Sequence, residues 1–122
     1  MESLSKEELD WLDKLVKQCK NKISKEATTE YLENHKLDYK YNDFADSSGY
    51  CSIVTYDVRN KYLRGLLKLG IAFPIGNGYV ISAVGTHFIS QSISFHEYIN
   101  NKVCDKLNKE IGKIFYVRSK LD

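Results

Sequence analysis

Three histidines, three cysteines and a run of cations are the side chains in these 122 residues whose types and spacing could do chemistry. His35, His87 and His96 titrate nearest neutral pH and are the natural candidates for general acid–base work. A hydrolytic zinc site wants a close pair of imidazoles on one helix face plus a carboxylate, and His87 and His96 are nine residues apart. His96-Glu97 lacks the second histidine four residues on, so it is not a zinc-protease motif. A metal-free ribonuclease using His87 or His96 beside Lys or Arg is the catalytic alternative, but nothing in the spacing fixes an imidazole. Cys19, Cys51 and Cys104 are odd in number and widely spaced, which gives neither a disulfide framework nor paired metal ligands. Cys19 and Cys104 fall in helical apolar stripes and read as buried thiols. With no phosphate-cradling Gly loop and no serine elbow, the sequence predicts a non-enzymatic protein with no catalytic residue, metal or cofactor.

The cations are more informative. From Val58 to His96 there is no acid, while Arg59, Lys61, Arg64 and Lys68 are present. Residues 26–57 are the opposite, with Lys36 and Lys40 against seven acids, a net charge of −5. A basic face beside an acidic one is therefore expected.

The elements that must position these groups follow from periodicity. Ser5 and Glu8 have capping-box spacing, and Leu9, Leu12, Val16, Cys19 and Ile23 then mark an amphipathic helix over residues 6–23. A second helix is predicted over 25–34 with Ser24 as its cap. A third is predicted over 56–69, capped by Thr55 and ended by Gly70. On it Lys61, Arg64 and Lys68, spaced three and four apart, line the face opposite Tyr62, Leu66 and Leu69. Ile71–Ile75 and Tyr79–Ile81 around Gly76-Asn77-Gly78 predict a hairpin whose Pro74 strand lies at an edge. Ser82 opens a turn or short helix through Ile89. Ser94 and Glu97 then cap a helix over 95–111, ended by Gly112, and residues 114–118 are either a strand or more helix.

The stretch TYDVRNKYLRGLLKLGIAF followed by GNGYVISAVGTHFIS, residues 52–89 in round terms, resembles the winged helix-turn-helix superfamily. The resemblance implies a winged-helix-like domain of α+β class, mainly α with a small β-hairpin, flanked by N- and C-terminal amphipathic helices. One domain is expected across 1–122, with a helical arm over 1–25, a core over 26–93 and a C-terminal helix over 94–112. It further implies that the third helix enters a DNA major groove. Arg59 and Asn60 would read base edges, Lys61, Arg64 and Lys68 would meet phosphates, and Asn77 at the hairpin tip would approach the backbone as a wing. That is a transcription-regulator-like role, and the terminal helices could build a homodimer.

The rival is a small protein-binding inhibitor, immunity or phage-encoded antagonist protein. Its surface would be the acidic, Tyr-rich segment 26–57, with Tyr39, Tyr41, Asp43, Phe44, Asp46 and Tyr50 meeting a basic partner. No apolar run reaches the roughly 20 residues of a membrane span, and MESLSKEELD lacks the basic-then-apolar order of a leader. A cytoplasmic chain that avoids membranes is expected.

Overall fold

In the computed structural model, which describes residues 3–122, the Ser5–Glu8 cap forms as the spacing requires. The Ser5 hydroxyl accepts from the Glu8 N–H, and the Glu8 carboxylate accepts from the Ser5 N–H, each at 3.1 Å. Two orphan donors are thereby satisfied at the start of α1 (Lys6–Gln18). Leu12, Leu15 and Val16 bury one side of it.

The predicted break at Ser24 is absent. α1 runs through a π turn (Cys19–Ile23) directly into α2 (Ser24–Asn34), and Ser24 has helical backbone at φ −62° and ψ −40°. Its hydroxyl serves another purpose, donating to the Cys19 carbonyl at 2.7 Å and accepting from the Gly85 N–H at 3.0 Å. The π turn also frees the Lys20 carbonyl, which accepts from the His87 ring N–H at 2.7 Å. Gly85 packs so closely here that a Cβ would lie 2.9 Å from the Lys20 carbonyl carbon. Backbone cannot yield as a flexible side chain would, so Gly85→Ala is expected to destabilise by about 1–3 kcal/mol. Thermal unfolding checks this, and an unchanged midpoint would contradict it.

Two short paired strands follow, β1 (Leu37–Asp38) and β2 (Asp43–Phe44). The main sheet contains β3 (Gly49–Thr55), β4 (Ala72–Ile75), β5 (Gly78–Ile81) and β6 (Phe115–Leu121), all antiparallel in the order β4-β5-β3-β6. The predicted hairpin is β4–β5, with Gly76 at φ +56° in its turn and Pro74 on an edge strand where no ladder donor is needed. In the tail, strand begins at Phe115 and Ile114 belongs to the preceding turn. Gly112, at φ +143°, ends the last helix, and the Asn108 side-chain amide then brackets Phe115, accepting its N–H at 2.9 Å and donating to its carbonyl at 3.0 Å.

Three expectations are corrected. Residues 49–55 are a strand, because Ile53, Val54 and Thr55 pair with both β5 and β6, so the fold is α+β as expected but its β part is a four-stranded sheet rather than one small hairpin. The third helix, α3, is only Lys61–Lys68, and its cap is Asn60 rather than Thr55, since the chain turns over Tyr56–Asn60 before helix can start. Residues 82–89 contain no helix. In addition, Ser92, not Ser94, caps α4 (Ile93–Glu110), its hydroxyl accepting from the Phe95 N–H at 3.1 Å. Between β3 and β4 there is thus a single helix.

Burial separates the two faces of the sheet. Ile53, Ala72, Ile81 and Phe115 point into the main apolar cluster with Leu12, Val16, Leu63, Leu66, Val103 and Leu107 from the helices. This is the two-layer arrangement of an α+β domain. A second cluster joins Ala27, Tyr31, Phe44, Phe95 and Ile99, with Phe44 edge-on to Tyr31 at 4.8 Å and stacked on Phe95 at 5.6 Å. The stripes of α1 and α4, the seam expected for a homodimer, face these clusters within the chain. No described helix is long and apolar enough to cross a membrane.

Candidate functional site

α3 begins where Asn60 Oδ1 accepts from the Tyr62 N–H at 2.8 Å. Its buried side is Leu63, Gly65 and Leu66. Gly65 lets α1 approach closely, because a Cβ there would lie 2.8 Å from Leu12 Cδ2. Opposite, Arg64 is half-buried and Lys68 exposed, with Arg59 exposed in the preceding turn. The Arg59 N–H donates to the Asp57 carboxylate at 3.2 Å, which fixes that turn. Gly70, at φ +73°, reverses the chain into β4, and Asn77 is exposed at the hairpin tip.

Two of the six predicted DNA contacts have structural duties. Asn60 is corrected from base reader to helix cap, because its acceptor oxygen is already engaged. Lys61 lies 3.2 Å from Glu8 Oε2 and over the Tyr62 ring at 5.3 Å, so it ties α3 to α1. The Ser5 N–H, with Lys61 next, holds the Glu8 carboxyl below its usual range. Arg59, Arg64, Lys68 and Asn77 keep outward positions on α3, its leading turn and the hairpin.

In the acidic alternative, three of the six residues have structural duties. Phe44 is buried in the second cluster, which corrects its assignment as a contact residue. Asp43 accepts from the Ser90 hydroxyl at 2.5 Å and from the Gln91 and Phe44 N–H groups, both at 2.8 Å. Asp46 accepts from the Ser94 N–H at 3.1 Å, at the start of α4. These two carboxylates hold the 43–46 segment to the loop before α4, so they are braces and not free recognition groups. Tyr39 and Tyr41 remain exposed beside them, whereas Tyr50 stands apart on the sheet.

Burial raises the Asp43 and Asp46 pKa values, but the hydrogen bonds outweigh it and both carboxyls end below their usual range. A depressed folded-state pKa adds stability above the unfolded value, about 3.9 for Asp, and that stability is lost as pH falls through the folded value. The thermal midpoint is therefore expected to drop on acidification below about pH 4. Asp43→Asn should flatten part of that acid limb, and an identical acid limb in the variant would contradict the bracing role.

The histidines are engaged with the backbone. His35, His87 and His96 each place a ring nitrogen 2.7–3.0 Å from a carbonyl oxygen, of Tyr31, Lys20 and Ser90 respectively. Cys19 and Cys104 are buried, and desolvation pushes both thiols up to about 11, consistent with inert core residues.

Sequence reasoning missed one surface. The sheet face turned away from the helices presents Tyr50, Phe73, Tyr116, Arg118 and Lys120. Its signal was available in β6, where Phe115 and Val117 alternate with Tyr116, Arg118 and Lys120.

Comparison with family models, curated proteins and solved structures finds no match for this chain.

Proposed function

We propose that the chain is a non-enzymatic DNA-binding domain of winged-helix type, in which α3 with its leading turn and the β4–β5 hairpin form the contact unit. The observation that carries this reading is the outward placement of Arg64 and Lys68 on α3, beside Arg59 and the Asn77 hairpin tip, within a segment free of acids from Val58 to His96. α3 is eight residues long, so it extends about 12 Å, comparable to the ~12 Å width of the major groove. In place of a helix directly preceding α3, α1 crosses it at Gly65 and braces it through Lys61 and Glu8. Arg59, near the helix start, is the residue for base edges, while Arg64 and Lys68 meet phosphates. The role this reading implies is transcription-regulator-like.

Mapping amide NMR shifts during titration with a mixed-sequence duplex tests the reading. Changes should concentrate at 59–68 and 76–78. Changes confined to 36–48 would overturn it and favour a surface built on Tyr39 and Tyr41.

A further inference from the structure

The face of the main sheet that no helix covers has a composition of its own. The ladder registers place Phe73, Val80, Val54 and Tyr116 in one row across all four strands. Phe73 and Tyr116, at the two ends of that row, are 49% and 57% exposed, while Val54 at its centre is buried. Adjacent strands lie about 4.8 Å apart, so the two rings stand roughly 14 Å from one another. The next rows add Ser52 opposite Arg118 and Tyr50 opposite Lys120. At the other end the Tyr56 ring lies over Gly78, where a Cβ would come within 2.6 Å of it. None of these side chains belongs to either apolar cluster. The strands of this face carry no acid, and Asp57 and Asp122 stand beyond the ends of β3 and β6.

Exposed aromatic rings set among cations fit a partner that brings flat π surfaces and negative charge together. A second copy fits poorly, because an isologous contact would set Arg118 and Lys120 against the same cations with no acid to answer them. Duplex DNA fits poorly as well, since its bases are stacked inside and offer the rings no face. Unpaired nucleotides supply both, with bases stacking on Tyr and Phe while Lys and Arg follow the backbone. The hairpin is shared with the proposed duplex surface, so a strand leaving a duplex at α3 has a continuous path across β4 and β5. That continuity with the proposed duplex surface is what favours single-stranded DNA over RNA.

We propose that this sheet face, with Tyr50, Phe73 and Tyr116 as stacking residues and Arg118 and Lys120 as phosphate contacts, binds single-stranded DNA. The stacking face rests on the sheet alone, and only the choice of DNA over RNA rests on the α3 reading, so the two can fail separately. The test is fluorescence-polarisation titration of the full chain with labelled (dT)12, (rU)12 and a 12-base-pair duplex at low salt. The variants are Tyr116→Ala with Phe73→Ala, Arg118→Glu with Lys120→Glu, and Arg64→Glu with Lys68→Glu. Loss of stacking should weaken (dT)12 binding roughly 5- to 150-fold per base released. Both sheet variants should lower (dT)12 affinity at least tenfold, and the α3 variant should retain it while losing the duplex. The charge pair lies on exposed strand positions and keeps the test valid should the aromatic pair fold poorly. Wild-type protein that ignores (dT)12, sheet variants that bind it normally, or tighter binding of (rU)12 would each overturn the proposal. So would a dimer that dissociates in the Tyr116 variant and shows no affinity for (dT)12.

Discussion

Reversing Arg64 and Lys68 together to glutamate is expected to lower duplex affinity by about 10- to 100-fold and to flatten the salt slope by roughly two. Both side chains lie on the outward side of α3, away from Leu63 and Leu66, so the thermal midpoint should remain within a few degrees of wild type. Each phosphate contact releases a counterion, and reversal both removes that release and adds repulsion. Binding and folding are thereby separated, because the variant keeps the Asn60 cap, the Lys61–Glu8 bridge and the Gly65 crossing. Salt-dependent polarisation and circular dichroism on the same samples provide the check. Duplex affinity unchanged from wild type would remove α3 from the interface.

Leu12→Ala is expected to produce the largest loss of stability, about 2–5 kcal/mol. Leu12 is fully buried and touches the point where α1 crosses α3, so its truncation leaves a cavity under the helix that carries the cations. A small domain has only about 5–15 kcal/mol of total stability. The variant should therefore unfold at much lower urea concentration with an unchanged slope. Leu67→Ala, on α3 itself but partly exposed, should shift stability by about 0.5 kcal/mol or less. Urea midpoints that fail to separate the two variants would contradict the placement of α1 against α3.

What the sequence revealed was local. The Ser5–Glu8 cap, the stripe from Leu12 to Cys19, the Gly76-Asn77 turn and the edge position of Pro74 depend on near neighbours, and each is found as read. β3 escaped notice because its identity depends on distant partners, with Gly49 facing Leu121 and Ile53 lying between Ile81 and Val117. A short apolar run such as Ile53-Val54-Thr55 has no period to separate strand from helix. Without β3, periodicity extends the following helix back to residue 56 and places its cap at Thr55, whereas α3 starts at Lys61 under the Asn60 cap. The site was half legible for the same reason. Spacing gives the outward row of Arg64 and Lys68, but no spacing shows that Asn60 caps, that Lys61 reaches Glu8, or that Asp43 and Asp46 brace a loop nearly fifty residues away. The bare sheet face emerges only when four strands from three parts of the chain are laid side by side.

The most direct measurement of the central claim is polarisation binding of the wild-type chain to a mixed-sequence duplex across about 50–200 mM salt, where phosphate contacts lose affinity steeply. Arg64 and Lys68 predict saturable binding at the lowest salt, with a log–log slope near −2 at about 0.9 per phosphate contact. Absence of binding at the lowest salt, or binding that ignores salt, would contradict a DNA-binding role for this helix and hairpin.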